Sequence, residues 1–234
     1  MSWDEAFASR YEEWSAHMTA DVAFYVELAR KADGPLVELG IGNGRVAIPV
    51  ARATGRRVIG IDASPAMLEQ ARARAAEAGV ELDLHQGDMR DLALDGPAAL
   101  IYCPFRALLH LPTWADRRRT FERVAASLRP GGRFAWNAFA FDHQIAARLD
   151  GKHQTQPVPH TARYWVGANR IDLVLDGGGR SSLWWATRNE WLGLLDVAGL
   201  ELEALYGGFA GEPFADDSPE YVFVARRLAR PALT

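Results

Sequence analysis

The chain has 234 residues, a formal net charge of -4, 49% hydrophobic residues and a single cysteine, Cys103. That suits one large α/β domain or two small ones, excludes an intrachain disulfide, and disfavours a broad nucleic-acid-binding face, which needs clustered positive charge. No run approaches the ~20 apolar residues of a membrane span, no Cys/His cluster has metal-ligand spacing, and the polar, aromatic N-terminus lacks the apolar core of a signal peptide, so a cytoplasmic protein without membrane or nucleic-acid partners is expected.

In chain order, residues 4–32 read as one or two helices. Val22, Tyr25, Val26 and Ala29 recur at helical spacing, and Thr19 or Asp21 is placed to cap the second helix. Asp33-Gly34-Pro35 ends it. Leu36–Leu39 is a strand, and a helix is expected over 43–54, bent at Pro49. Val58–Ile61 is the second strand. Ser64-Pro65 starts the next helix as N-cap and first residue, with Met67, Leu68, Ala71 and Ala75 as its apolar stripe and Gly79 as its stop. Residues 81–85 alternate as a third strand. The continuous apolar run Ala98–Cys103 predicts a strand buried on both faces.

Thr113-Trp114-Ala115-Asp116 resembles a capping box opening a helix to about Leu128. Arg117, Arg118 and Arg119 read as its solvated face. Residues 129–132 form a turn, and Arg133–Phe139 is the fifth strand. Residues 141–159 are polar and irregular. Three short strands then follow at 163–166, 170–175 and 181–186, with a turn at Asp176-Gly177-Gly178-Gly179. A second capping box, Thr187 to Glu190, starts a helix ending near Gly199, and 200–206 and 221–225 close the chain as an antiparallel hairpin. Repeated strand–helix alternation implies a Rossmann-like, doubly wound α/β fold. The expected sheet has seven strands, mostly parallel, with the hairpin at its edge and a small antiparallel β insertion. The expected organisation is one domain over 1–234: N-terminal helices to 33, a cofactor-binding core over 34–140, a substrate-side insertion over 141–186, and the final helix and hairpin from 187.

The most informative stretch runs from Leu36 to Arg45. An apolar strand ends in Glu38-Leu39-Gly40-Ile41-Gly42-Asn43-Gly44, and a second strand ends in Asp62. Glycines at 40, 42 and 44 let backbone approach a ligand without side-chain clash. A carboxylate at the tip of the second strand can accept hydrogen bonds from a ribose. This layout binds an adenosine-containing ligand at the carboxyl ends of parallel strands.

With Asp62-Ala63-Ser64-Pro65-Ala66-Met67-Leu68, Gly87-Asp88-Met89 and Leu128-Arg129-Pro130-Gly131-Gly132 in order, the chain resembles the class I S-adenosylmethionine-dependent methyltransferases, in particular those acting on small molecules such as amino sugars. The resemblance implies that the glycine loop lies against the methionine part of S-adenosyl-L-methionine, with Glu38 near its amino group. It implies Asp62 and Ala63 at the ribose, Asp88 and Met89 at the adenine, backbone at Cys103 below the transferable methyl, and Tyr11 closing over the carboxylate. Phe105, Arg106, Asn137 and Trp184 are candidates for the acceptor site. His110 and His143, just after the fourth and fifth strands, are candidate bases for a hydroxyl acceptor. One of Trp184 and Trp185 is expected in the core and the other toward the pocket, because adjacent strand residues face opposite sides. The expected partner is a small-molecule acceptor, its reacting atom nitrogen or oxygen, and a homodimer stays open. Competing readings are an NAD(P)-dependent oxidoreductase, a non-catalytic S-adenosylmethionine-binding module, and a protein or RNA methyltransferase.

Overall fold

The structure, a computed structural model, describes residues 10–15 and 18–228. The part of the first predicted helix before Arg10 lies outside the described residues. Helix α1 is Tyr11–Ser15 and α2 is Ala20–Lys31. Thr19 stands at the N-cap of α2 without a side-chain cap bond. Asp21 does not cap either; its carboxylate is buried against the Arg45 guanidinium at 2.5 Å.

Strands β1 (Leu36–Leu39), β2 (Val58–Asp62), β3 (Leu82–Gln86), β4 (Ala98–Cys103), β5 (Leu128–Phe139), β10 (Leu200–Tyr206) and β11 (Glu220–Arg227) form one sheet in the order β10-β11-β5-β4-β1-β2-β3. The pairs from β5 to β3 are parallel. β11 is antiparallel to both β5 and β10. The chain winds outward from β1 through β2 to β3, then returns to the other side of β1 at β4. Strand order therefore reverses between β1 and β4, and a crevice opens at their carboxyl ends.

Helices α2, α3 (Ala47–Thr54) and α4 (Pro65–Ala78) cover one face, and α5 (Trp114–Ser127) and α7 (Arg188–Ala198) the other. β4 is buried along its whole length and alternates between them: Ile101 and Cys103 face one layer, Leu100 and Tyr102 the opposite one. The caps at Ser64, Thr113 and the full Thr187–Glu190 box form as expected.

Several boundaries differ from expectation, each for a local reason. The helix expected from Asn43 begins only at Ala47, because Gly42 and Gly44 take positive φ (54° and 79°) and keep 42–46 in turns. Pro49 then falls in the first turn, where no backbone N–H partner is needed, so nothing requires a bend. The expected turn at 129–132 belongs to β5, which pairs at Leu128 with Ala98, skips register around Gly131, and resumes at Arg133 with Leu100.

The segment 141–159, expected to be irregular, contains helix α6 (His143–Leu149), capped by the Asp142 carboxylate on the Gln144 and Ile145 N–H groups, and the short strand β6 (His153–Gln154). β6, β7 (His160–Trp165), β8 (Arg170–Leu175) and β9 (Arg180–Trp184) form a second, antiparallel sheet. No helix among the described residues is long and apolar enough to cross a membrane.

Candidate active site

β1 delivers the chain into the bend 40–44 at the crevice. An added Cβ at Gly40 would lie 2.9 Å from the Ala107 Cβ, and φ there is 65°, so this position takes glycine for space as well as conformation. At Gly42 the missing side chain leaves room below the Tyr11 ring, 3.8 Å away. The bend is tied down from β2. Asp62 Oδ2 accepts the Gly42 N–H at 2.8 Å, and Oδ1 accepts the Ser64 N–H at 2.9 Å. Burial pushes the Asp62 carboxyl above its usual range, against the pull of these backbone donors.

After β3, Asp88 caps a short 3-10 turn and grips Arg90, whose Nη2 donates to Oδ2 at 2.6 Å. The same guanidinium donates to Asp116 on α5 at 2.9 Å. These bonds hold the Asp88 carboxyl below its usual range. Asp88 is therefore a charged group with a fixed partner, and Arg90 is a site residue that sequence reasoning missed.

After β4 the chain turns sharply at Pro104-Phe105-Arg106, with Phe105 and Arg106 both at positive φ (53° and 62°). Two consecutive non-glycine residues in the left-handed region are strained. The turn is held from both sides. Arg45 stands over the Phe105 ring at 4.7 Å, and Tyr11 meets that ring edge-on at 5.5 Å. Arg106 grips the buried Glu220 carboxylate at 2.6 Å. Glu220 also accepts from Asn137 at 2.7 Å, and Asn137 in turn accepts from the Tyr25 hydroxyl at 3.1 Å.

These segments line one cavity of about 410 Å³, within the usual size of a ligand site. Its sheet-edge side is Gly40, Gly42, Asp62, Ala63, Asp88, Met89 and Arg90; its other side is the loop 104–112 together with Leu173, Ser181, Leu183 and Trp184 from β8 and β9; Tyr11 and Trp14 of α1 also line it. Trp184 lines the cavity and Trp185 is buried, stacked on Phe141 at 4.0 Å. His110 lines the cavity as well. Burial draws its imidazole down to about 4, while a hydrogen bond with the Ser182 backbone pulls the other way.

Five expected residues lie outside the lining. Gly44 packs toward Ile48. The Cys103 side chain is buried, which pushes its thiol above its ordinary range. Asn137 is fully buried in the Tyr25–Glu220 chain of hydrogen bonds rather than bordering open space. Glu38 is buried behind the bend; desolvation raises its carboxyl well above the usual range, and Oε2 has no hydrogen-bond partner. His143 is exposed on the first turn of α6. Of the two candidate bases, the fold brings only His110 to the cavity.

Arg117 departs furthest from its expected solvated position. It is 4% exposed, its guanidinium donates to the Trp184 carbonyl, and it lies 5.2 Å from the Trp191 ring centre. Burial lowers it to about 10. A single helical turn would have to show one arginine apolar-side among three, and the run of three identical residues hid that. Asp116 and Arg117, neighbours on α5, therefore hold opposite walls of the cavity: one through Arg90 and Asp88, the other through Trp184.

Comparison with known proteins agrees with this geometry. A methyltransferase-domain family profile matches residues 36–132. The cypemycin N-terminal methyltransferase of a Streptomyces species is 25% identical, over 96% of this chain and 97% of that protein. The solved CcbJ methyltransferase from Streptomyces caelestis is 26% identical with a TM-score of 0.79, over 95% of this chain and 96% of that one. The S-adenosylmethionine-bound CalS10, an amino pentose methyltransferase from Micromonospora echinaspora, shares the fold at 23% identity and a TM-score of 0.69, over 95% and 96% of the two chains. Similarity to methyltransferases along nearly the whole chain, beside the glycine bend, the acidic strand tip and the mixed seven-stranded sheet, supports a class I S-adenosylmethionine-dependent methyltransferase.

Proposed function

We propose that this enzyme methylates a nitrogen or oxygen of a small molecule held between the sheet edge and the β8–β9 wall. The observation that carries this is the two-sided cavity. One side has a bare glycine bend, two acids and Arg90, the other an aromatic and largely apolar wall with one histidine and Arg106. The names of the cypemycin enzyme and CalS10 support an acceptor of natural-product type, an N-terminus and an amino pentose respectively.

The residues present suit the cofactor. Gly40 and Gly42 leave a cradle that a Cβ would fill. Asp62 spends one lone pair of each oxygen on a backbone N–H and keeps others for ribose hydroxyls. When bound, S-adenosylmethionine supplies a methyl group already activated on a sulfonium. The chain's own contribution is then positioning, worth on the order of 7 kcal/mol or more when the acceptor is held in line. Tyr11 and Phe105 close the cavity from α1 and the strained turn. Trp184 bounds the acceptor. His110, neutral at pH 7, is the histidine that lines the cavity, and a base beside a hydroxyl acceptor contributes roughly 10² to 10⁴ in rate.

The test is release of S-adenosylhomocysteine from S-adenosylmethionine by purified protein across a panel of small amines and hydroxyl compounds. Acceptor-dependent release is expected. Failure of the protein to bind S-adenosylhomocysteine at all would overturn the proposal.

A further inference from the structure

We propose that Arg90 is a positioning residue for the base of the bound nucleoside: it fixes the Asp88 carboxylate at the cavity edge, so that the site takes a 6-aminopurine and rejects a 6-oxopurine. This rests on the methyl-transfer reading above and deepens it at the same site.

Asp88 stands one strand outward from Asp62. β2 and β3 are parallel neighbours with Asp62 beside Gln86, and the Gly87 N–H donates to the Asp62 carbonyl at 3.0 Å. A nucleoside whose ribose lies at Asp62 therefore reaches Asp88 with its base. Asp88 and Arg90 both line the cavity. One residue holds the Asp88 carboxylate at three points. Oδ1 accepts the Arg90 backbone N–H at 2.9 Å and Nε at 3.0 Å, and Oδ2 accepts Nη2 at 2.6 Å. Oδ1 is thereby filled, and Oδ2 keeps a further lone pair for a ligand donor.

Arg90 is itself fixed. Nη1 donates to Asp116 Oδ1 at 2.9 Å, and Asp116 Oδ2 accepts the hydroxyl of Thr113, the N-cap of α5. The Asp88 carboxylate is thus anchored to a helix as well as to its own loop. It turns only by breaking a bidentate, charge-assisted grip. The Arg90 guanidinium also holds the Asp88 carboxyl below its usual range. A charged, immobile oxygen accepts an amino N–H and repels the carbonyl oxygen that a 6-oxopurine puts in its place. Without Arg90, Asp88 can rotate and take up a proton, and a carboxylic acid donates to that carbonyl. Arg90 therefore governs selectivity between bases, beyond affinity alone.

The experiment compares S-adenosylhomocysteine with S-inosylhomocysteine, which differ only in the purine 6-substituent and the ring proton that accompanies it. Each is titrated calorimetrically into the protein at pH 7.5. The wild type is expected to bind S-adenosylhomocysteine at least about thirtyfold tighter. Arg90→Leu should cut that preference by about fivefold or more, and Arg90→Lys, which keeps a cation beside Asp88, should recover part of it. Should Arg90→Leu fail a thermal-melt check of folding, Asp116→Ala, which removes only the outer anchor, carries the same test with a narrowing of about twofold or more. An unchanged preference in the folded variant, with both ligands weakened alike, overturns the proposal, as does wild-type protein that binds the two ligands equally. Failure of the wild-type chain to bind S-adenosylhomocysteine would instead overturn the methyl-transfer reading itself.

Discussion

Gly42 donates its backbone N–H to the Asp62 carboxylate at 2.8 Å, while the other oxygen of Asp62 receives the Ser64 N–H. One side chain thus fastens the ligand-facing bend to the start of α4. It follows that Asp62 serves the shape of the site as well as any ribose contact. Asp62→Ala should weaken S-adenosylhomocysteine binding by about 50-fold or more, through loss of both roles. Asp62→Asn keeps the backbone acceptor on one side only, so its melting temperature should lie between those of the wild type and Asp62→Ala. Calorimetry and thermal melts on the two variants check this; wild-type affinity in Asp62→Ala would remove the acid from the site.

His110 gives the folded state a signature in pH. Its pKa lies near 4 in the folded chain and near 6.5 when unfolded. The unfolded chain therefore binds a proton first as pH falls. Stability should decline from about pH 6.5 to about pH 4, by up to roughly 3 kcal/mol from this group. Above 6.5 the group adds no pH dependence. Urea denaturation across this range should show a slope that His110→Leu removes. An unchanged slope in the variant would mean that the imidazole is not desolvated as described.

Arg117 should matter to the acceptor more than to the fold. Arg117→Met keeps the volume, removes a buried charge and loses the donor to the Trp184 carbonyl. The loss of about 1–2 kcal/mol from that bond is offset by relief of the desolvated charge. The melting point should therefore move little. With an acceptor in hand, its KM should rise roughly tenfold while that for S-adenosylmethionine stays level, and Arg117→Lys should recover part of the loss. Equal changes in both KM values would assign Arg117 a purely structural role.

Gly60 in β2 sets the height of the glycine bend. A Cβ there would fall 2.1 Å from Ile41 Cδ1 and 3.1 Å from Leu84 Cδ2. Ile41 is buried within the bend. Gly60→Ala should cost about 1–3 kcal/mol in urea unfolding, since a packed side chain must shift. Affinity for S-adenosylhomocysteine should fall with it; a variant as stable and as tight as the wild type would contradict this packing.

Much of this was legible in the sequence because the signals were local. The apolar run of β4, the Ser64-Pro65 start and the Thr187 box carry their own physics within a few residues. The glycine bend and Asp62 were legible as a spaced pattern, and the structure brings Gly40, Gly42, Asp62, Asp88 and Met89 to one cavity. What escaped was long-range pairing. Nothing near Arg106 announces Glu220, 114 residues later, nor does Tyr25 announce Asn137. Arg117 sits in a basic run whose solvated appearance conceals a buried member. Helix α6 lay in polar sequence, and its one clear signal, Asp142 as N-cap, precedes a helix of only seven residues.

The most direct measurement is a crystal structure of the protein grown with S-adenosylhomocysteine. The nucleoside is expected in the cavity between the glycine bend, Asp62 and Asp88, on the side away from Trp184. Clear density for the protein with that cavity empty, or the nucleoside bound elsewhere on the molecule, would contradict it.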